Sequence, residues 1–207
     1  STSLQNIAKE VKTPFYVYSY GALKEQFESL NNAFDNGNHL ICYSMKANSN
    51  AAILKTFINL GSGIDVVTGG ELYRALQAGC DPKKIVFSGV GKSEEEIRVA
   101  LTTDILQFNV ESEAELELIQ KIAKNLNKKA PIALRVNPDV DPKTHPYIAT
   151  GLKKSKFGIP HQEALSLYQP GILSSCLCAA AAVFHFSKTP RGDHEESRGP
   201  RVLYRGR

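Results

Sequence analysis

From residue 40 onward the chain alternates two hydrophobic patterns. Short runs rich in apolar and β-branched residues occupy Leu40–Met45, Gly63–Val67, Lys84–Ser88, Ile105–Val110 and Pro131–Val136. They recur roughly every 20 to 26 residues, the length of a strand-plus-helix unit. Several are apolar almost throughout, as strands buried on both faces must be. Between them lie stretches of helical period. After Thr68 the apolar positions Leu72, Ala75, Leu76 and Ala78 share one face, and Gly79 closes the helix. After Ser112 the same face is made by Leu116, Ile119, Ile122 and Ala123, with Glu and Lys opposite. Thr68 to Glu71, Ser93 to Glu96 and Ser112 to Glu115 each have the spacing of a capping box.

Five successive βα units predict a parallel α/β fold. On pattern alone a (β/α)8 barrel and an open doubly wound sheet both fit. A whole barrel takes roughly 200 to 250 residues, so five units and part of a sixth make an incomplete one.

Two segments fall outside this period and divide the chain into residues 1–39, 40–169 and 170–207. Thr13-Pro-Phe-Tyr-Val-Tyr-Ser19 reads as a short aromatic β-run that could belong to another layer, followed by a helix from Gly21 to Asn32. After Gln169 the composition changes. Residues 1–169 hold 16 Lys and 3 Arg, whereas residues 170–207 hold 1 Lys and 5 Arg. Residues 170–207 are therefore expected to be a divergent, disordered tail, and the stretch from Pro190 has no period and too little apolar content to fold. A switch this sharp is what a changed reading frame or an alternative exon produces. The chain starts at Ser1, so a removed leader or a fragment is expected.

Composition adds exclusions. The net charge of +4 comes from the tail, because residues 1–169 balance 19 basic against 18 acidic side chains. No basic face therefore points to nucleic acid. No apolar run approaches the roughly 18 residues that cross a membrane. The four cysteines lack metal-ligand neighbours, and Cys176-Leu-Cys178 is too tightly spaced for a zinc knuckle. Reduced structural thiols in a cytosol-like compartment are expected. Without a secretion signal, the Arg-Gly-Asp at 191–193 is not read as an adhesion motif.

Five local features could carry chemistry. In Cys42-Tyr-Ser-Met-Lys-Ala-Asn-Ser-Asn50 a lysine stands where an apolar strand ends, the position that faces the active-site mouth of α/β folds. Partial desolvation there would favour the neutral amine that Schiff-base chemistry needs. A solvated lysine is the plainer reading of the spacing alone. Asp65, within an apolar strand, is either a structural acceptor or part of a site, since a buried carboxylate needs partners. Phe87-Ser-Gly-Val-Gly-Lys-Ser93 resembles a phosphate-binding loop, but that motif needs glycine at position 86, which is Val. Arg135, in Ala133-Leu-Arg-Val-Asn-Pro138, must be paired if buried. The irregular stretch His145 to Gly158 is long enough to be functional.

Together these motifs resemble the diaminopimelate decarboxylase family. The resemblance runs through Thr13-Pro-Phe-Tyr-Val-Tyr, Tyr43-Ser-Met-Lys-Ala-Asn-Ser-Asn, Asp65-Val-Val-Thr-Gly-Gly-Glu-Leu, Ile85-Val-Phe-Ser-Gly-Val-Gly-Lys-Ser, Leu134-Arg-Val-Asn-Pro and Thr150-Gly-Leu-Lys-Lys-Ser-Lys-Phe-Gly-Ile. It covers about residues 13 to 168. It implies a (β/α)8 barrel of the alanine racemase and ornithine decarboxylase type, a separate β-domain holding a strand from residues 1–39, a homodimer and a cytoplasmic home. A plastid would suit a chain that has lost a leader. It implies pyridoxal 5′-phosphate as cofactor, bonded to Lys46, with Asp65 beside its ring and Arg135 nearby. The implied reaction is decarboxylation of meso-2,6-diaminopimelate to L-lysine. Ornithine, arginine or carboxynorspermidine as substrate, or a non-catalytic cofactor-binding fragment, are the alternatives. The family's later motifs, a His-x-Gly-Ser segment, a glycine-rich phosphate loop, a Glu-Pro-Gly acid and a Cys-Glu-Ser-Gly-Asp-like run, do not follow Gln169. This chain by itself is therefore expected to be inactive or nearly so.

Overall fold

The structure is a computed structural model that describes residues 2–34, 39–137, 158–167 and 176–178. Two helices lead, α1 (Leu4–Val11) and α2 (Tyr20–Asn32). Four strand-and-helix steps and a fifth strand follow: β1 (Cys42–Ser44) and α3 (Ala51–Asn59), β2 (Gly63–Val66) and α4 (Gly69–Gln77), β3 (Ile85–Phe87) and α5 (Glu94–Thr103), β4 (Gln107–Val110) and α6 (Glu113–Asn125), then β5 (Ala130–Leu134). Two short strands, β6 (Val136–Asn137) and β7 (Ile159–Pro160), pair with each other. Helix α7 (His161–Leu167) and strand β8 (Cys176–Cys178) complete the order.

The main sheet is parallel throughout, in the order β1-β2-β3-β4-β5-β8. That order separates the two folds that the sequence pattern left open. A doubly wound sheet reverses direction at a switch point. Here each strand is laid beside its predecessor without reversal, the winding of a (β/α)8 barrel. With six strands in the sheet, the barrel is partial.

The strands form where the apolar runs predicted them, because both of their faces are covered. Every residue of β2, β3 and β4 is buried. On the outer layer the helices turn their apolar stripes inward. Leu72 and Ala75 of α4, Ile97 and Ala100 of α5, and Leu116, Ile119 and Ala123 of α6 have no measurable exposure. Phe87 and Phe108, on adjacent strands, stack with centroids 6.1 Å apart. Gly79 ends α4 at φ +89°, and the amides of Gly79 and Cys80 reach back to Leu76 and Ala75.

Helix starts follow their cap residues, with one variation on the expected pattern. Ser93 and Glu96 make the full reciprocal box. Thr68 and Ser112 cap as expected, but the carboxylates of Glu71 and Glu115 reach one residue further back, to the amides of Val67 and Glu111.

The leading segment differs from its sequence reading. Residues 13–19 form no strand among the described residues, and Tyr16, Val17 and Tyr18 are exposed. A β-run needs a neighbouring strand to pair with, and residues 13–19 pair with none of the described strands. Residues 176–178 differ the other way. They lie in the stretch after Gln169 that the composition marks as unfolded, yet they extend the sheet beside β5, Ala130 opposite Cys176. The Lys-to-Arg switch obscured a short apolar run, Cys-Leu-Cys, that suits a parallel strand. The irregular stretch 145–157 and the Arg-Gly-Asp at 191–193 lie outside the described residues.

Candidate active site

The C-terminal ends of β1 to β5 gather the polar side chains. A short 3-10 turn, Met45–Ala47, follows β1 directly. It turns Met45 fully into the core and leaves Lys46 exposed. Apolar neighbours were expected to desolvate the Lys46 amine in part. The turn directs them inward instead, and the amine is open to solvent.

Asp65 lies on β2 opposite Ser44, two residues before Lys46. It is buried at 8% exposure, and both carboxylate oxygens are engaged. Ser44 donates its hydroxyl to Oδ2 at 3.2 Å, and Ser88 donates to Oδ1 at 2.5 Å. Ser88 accepts in turn from the Asn109 side-chain amide at 2.8 Å, and Gln107 donates to Asn109 Oδ1 at 2.9 Å. A hydrogen-bonded ladder thus crosses four strands inside the barrel. It satisfies a carboxylate that could not be buried unpartnered.

Arg135 follows β5 and joins a second network. Its Nη1 donates to Glu111 Oε2 at 3.1 Å, and Glu111 Oε1 accepts from the Gly89 amide at 3.0 Å. The Glu111 side chain is 1% exposed, so the guanidinium meets the pairing requirement read from sequence. Gly89 sits at φ +96°, where its own Cβ would approach Val67 to 3.3 Å. Asp65 and Arg135 are thereby linked through neighbouring residues, Ser88 toward the one and Gly89 toward the other.

Lys92, Glu115, Glu111, Ser88 and Asn109 were not singled out as site residues from sequence. Ser88, Asn109 and Glu111 carry the signal that exposed Asp65, polar residues at the ends of otherwise apolar strands, whereas Lys92 lies in the loop after β3 and Glu115 in α6. Cys42 and Cys80 are free thiols. Burial, then the charge of Asp65, pushes Cys42 up to about 12, and burial with Asp81 pushes Cys80 up to about 11. Both stay neutral and non-nucleophilic near pH 7. Among the described residues, no helix is long and apolar enough to cross a membrane.

Comparison with known proteins fits this geometry. Residues 20–175 match the family described as pyridoxal-dependent decarboxylase, pyridoxal binding domain. Diaminopimelate decarboxylase of Neisseria meningitidis serogroup B is 56% identical over 162 residues, covering 78% of this chain and 39% of that protein. The Aquifex aeolicus diaminopimelate decarboxylase is 53% identical over 167 residues, 81% of this chain and 39% of its own length. The crystal structure of the Helicobacter pylori diaminopimelate decarboxylase complexed with L-lysine superposes with a TM-score of 0.80 at 47% identity, covering 84% of this chain and 44% of that one. The chain therefore spans about two fifths of the relatives it matches.

The donor set suits the family's cofactor at its aldehyde end. Lys46 offers a solvent-accessible primary amine, and Asp65 a fixed carboxylate on the adjoining strand. The parallel strand order, the polar strand ends and the match over residues 20–175 converge: the chain belongs to the pyridoxal-dependent decarboxylase family, as its pyridoxal-binding domain.

Proposed function

We propose that this chain is the cofactor-binding part of a diaminopimelate decarboxylase. The whole protein converts meso-2,6-diaminopimelate to L-lysine in the cytoplasm as a homodimer. The observation that carries the reading is the exposed Lys46 amine at the end of β1, beside the buried Asp65. Identities above 50% to proteins of that name support the substrate choice over other basic amino acids.

In this reading Lys46 would hold the cofactor through its amine, which would condense with the aldehyde with loss of water. Ser44 and Ser88 hold the Asp65 carboxylate in place beside β1. Glu111 orients the Arg135 guanidinium at the end of β5. When bound, pyridoxal phosphate supplies an electron-withdrawing ring that accepts the electron pair left as carbon dioxide departs.

The test is carbon dioxide release from meso-diaminopimelate with added pyridoxal phosphate. This chain alone should show little or no turnover. A full-length relative carrying the same first 168 residues should turn over, and should lose activity on Lys46→Ala. Turnover that survives Lys46→Ala would refute the assignment.

A further inference from the structure

The loop that looked like a phosphate cradle has a different use. Lys92 of Phe87-Ser-Gly-Val-Gly-Lys-Ser93 has no exposed side-chain surface. An ammonium has three protons to place, and Lys92 places all three within the protein. Its Nζ lies 2.7 Å from the Gly89 carbonyl, 3.0 Å from the Asn109 carbonyl and 2.5 Å from Glu115 Oε1. The Phe87 ring lies beneath it, 5.6 Å from centroid to Nζ. Nothing is left over for an external anion.

Each contact touches a member of one of the two site networks. Gly89 donates to Glu111, which holds Arg135. Asn109 donates to Ser88, which holds Asp65. Glu115 closes the circuit, because its second oxygen accepts from the Glu111 amide at 2.9 Å. Removing the ammonium would free the Ser88–Gly89 corner, and with it the mutual placement of Asp65 and Arg135.

We propose that Lys92, held by Glu115, is a positioning residue that sets Asp65 and Arg135 relative to each other for the cofactor. This rests on the cofactor-site reading above. A buried ion pair is a costly way to obtain stability alone, since an apolar pair of similar size often does as well. Its presence here fits a positional role.

The test uses this chain as Lys92→Met and as the double variant Lys92→Met/Glu115→Leu. The single change strands a buried carboxylate; the double change removes both charges. Two readouts are taken on the double variant, with thermal melting alongside. One is hydrogen exchange at the Gly89 amide and the Asn109 side-chain amide, which needs no cofactor. The other is the pyridoxal phosphate concentration that half-saturates borohydride-fixed labelling of Lys46. Melting should stay within about 5 °C of the parent. Exchange at both amides should accelerate at least about tenfold, and half-saturation should rise about tenfold, with Lys46 still the labelled residue. Unchanged exchange overturns the inference whatever the cofactor result, and so does parental half-saturation once exchange has accelerated. A parent chain that does not label at Lys46 overturns the cofactor reading instead, and the exchange result alone then judges the role of Lys92.

Discussion

The Ser88 hydroxyl donates a 2.5 Å hydrogen bond to Asp65, which lies on the neighbouring strand and is almost out of reach of solvent. The same hydroxyl accepts from Asn109, so one oxygen joins the polar ends of three strands. Ser88→Ala strands an acceptor on Asp65 and a donor on Asn109 at once. The expected loss is about 1–3 kcal/mol, read from urea unfolding. A loss under about 0.5 kcal/mol would show that the ladder contributes little.

Gly63 opens β2 against the end of the 3-10 turn that leads into β3, Pro82–Lys84. A Cβ there would collide with the Lys84 carbonyl oxygen and come within 2.8 Å of Cys42 Sγ. The obstructing oxygen is backbone and cannot rotate away. Gly63→Ala should therefore destabilise by about 3 kcal/mol, visible as a lower unfolding midpoint. An unchanged midpoint would mean that β1, β2 and β3 are spaced differently.

Glu96 links two helices. Its carboxylate accepts from the Ser93 amide and hydroxyl at the start of α5, and from the Gly69 amide at the start of α4. The backbone N–H groups of Ser93 and then Gly69 hold its pKa below the ordinary carboxylate value. A depressed folded pKa stabilises the fold at pH above the unfolded value, and the contribution fades as pH falls through the folded one. Glu96→Ala should cost about 1 kcal/mol at pH 7. The gap between parent and variant should narrow steadily below about pH 4. A gap independent of pH would contradict the hydrogen-bonding account.

Much of this arrangement was legible in the amino-acid order. The apolar runs marked β1 to β5, because strands buried on both faces leave little room for polar residues. Asp65 and Arg135 stood out against that background for the same reason. The winding direction was not legible, since βα alternation is common to barrels and open sheets; the strand order β1-β2-β3-β4-β5-β8 resolves it. Lys92 was legible only as a failed phosphate loop, because its partners Asn109 and Glu115 are 17 and 23 residues away in sequence. The exposure of Lys46 was hidden too. It depends on which way a three-residue turn rotates after β1, and Met45 takes the inward position.

The central claim is that one amine, on Lys46, is placed to bond with the aldehyde of pyridoxal phosphate. Borohydride reduction of the chain with substoichiometric pyridoxal phosphate, followed by peptide mapping, tests it most directly. The account predicts a single dominant adduct on Lys46, absent in Lys46→Arg. Adducts spread over the exposed lysines, or one that persists in Lys46→Arg, would contradict it.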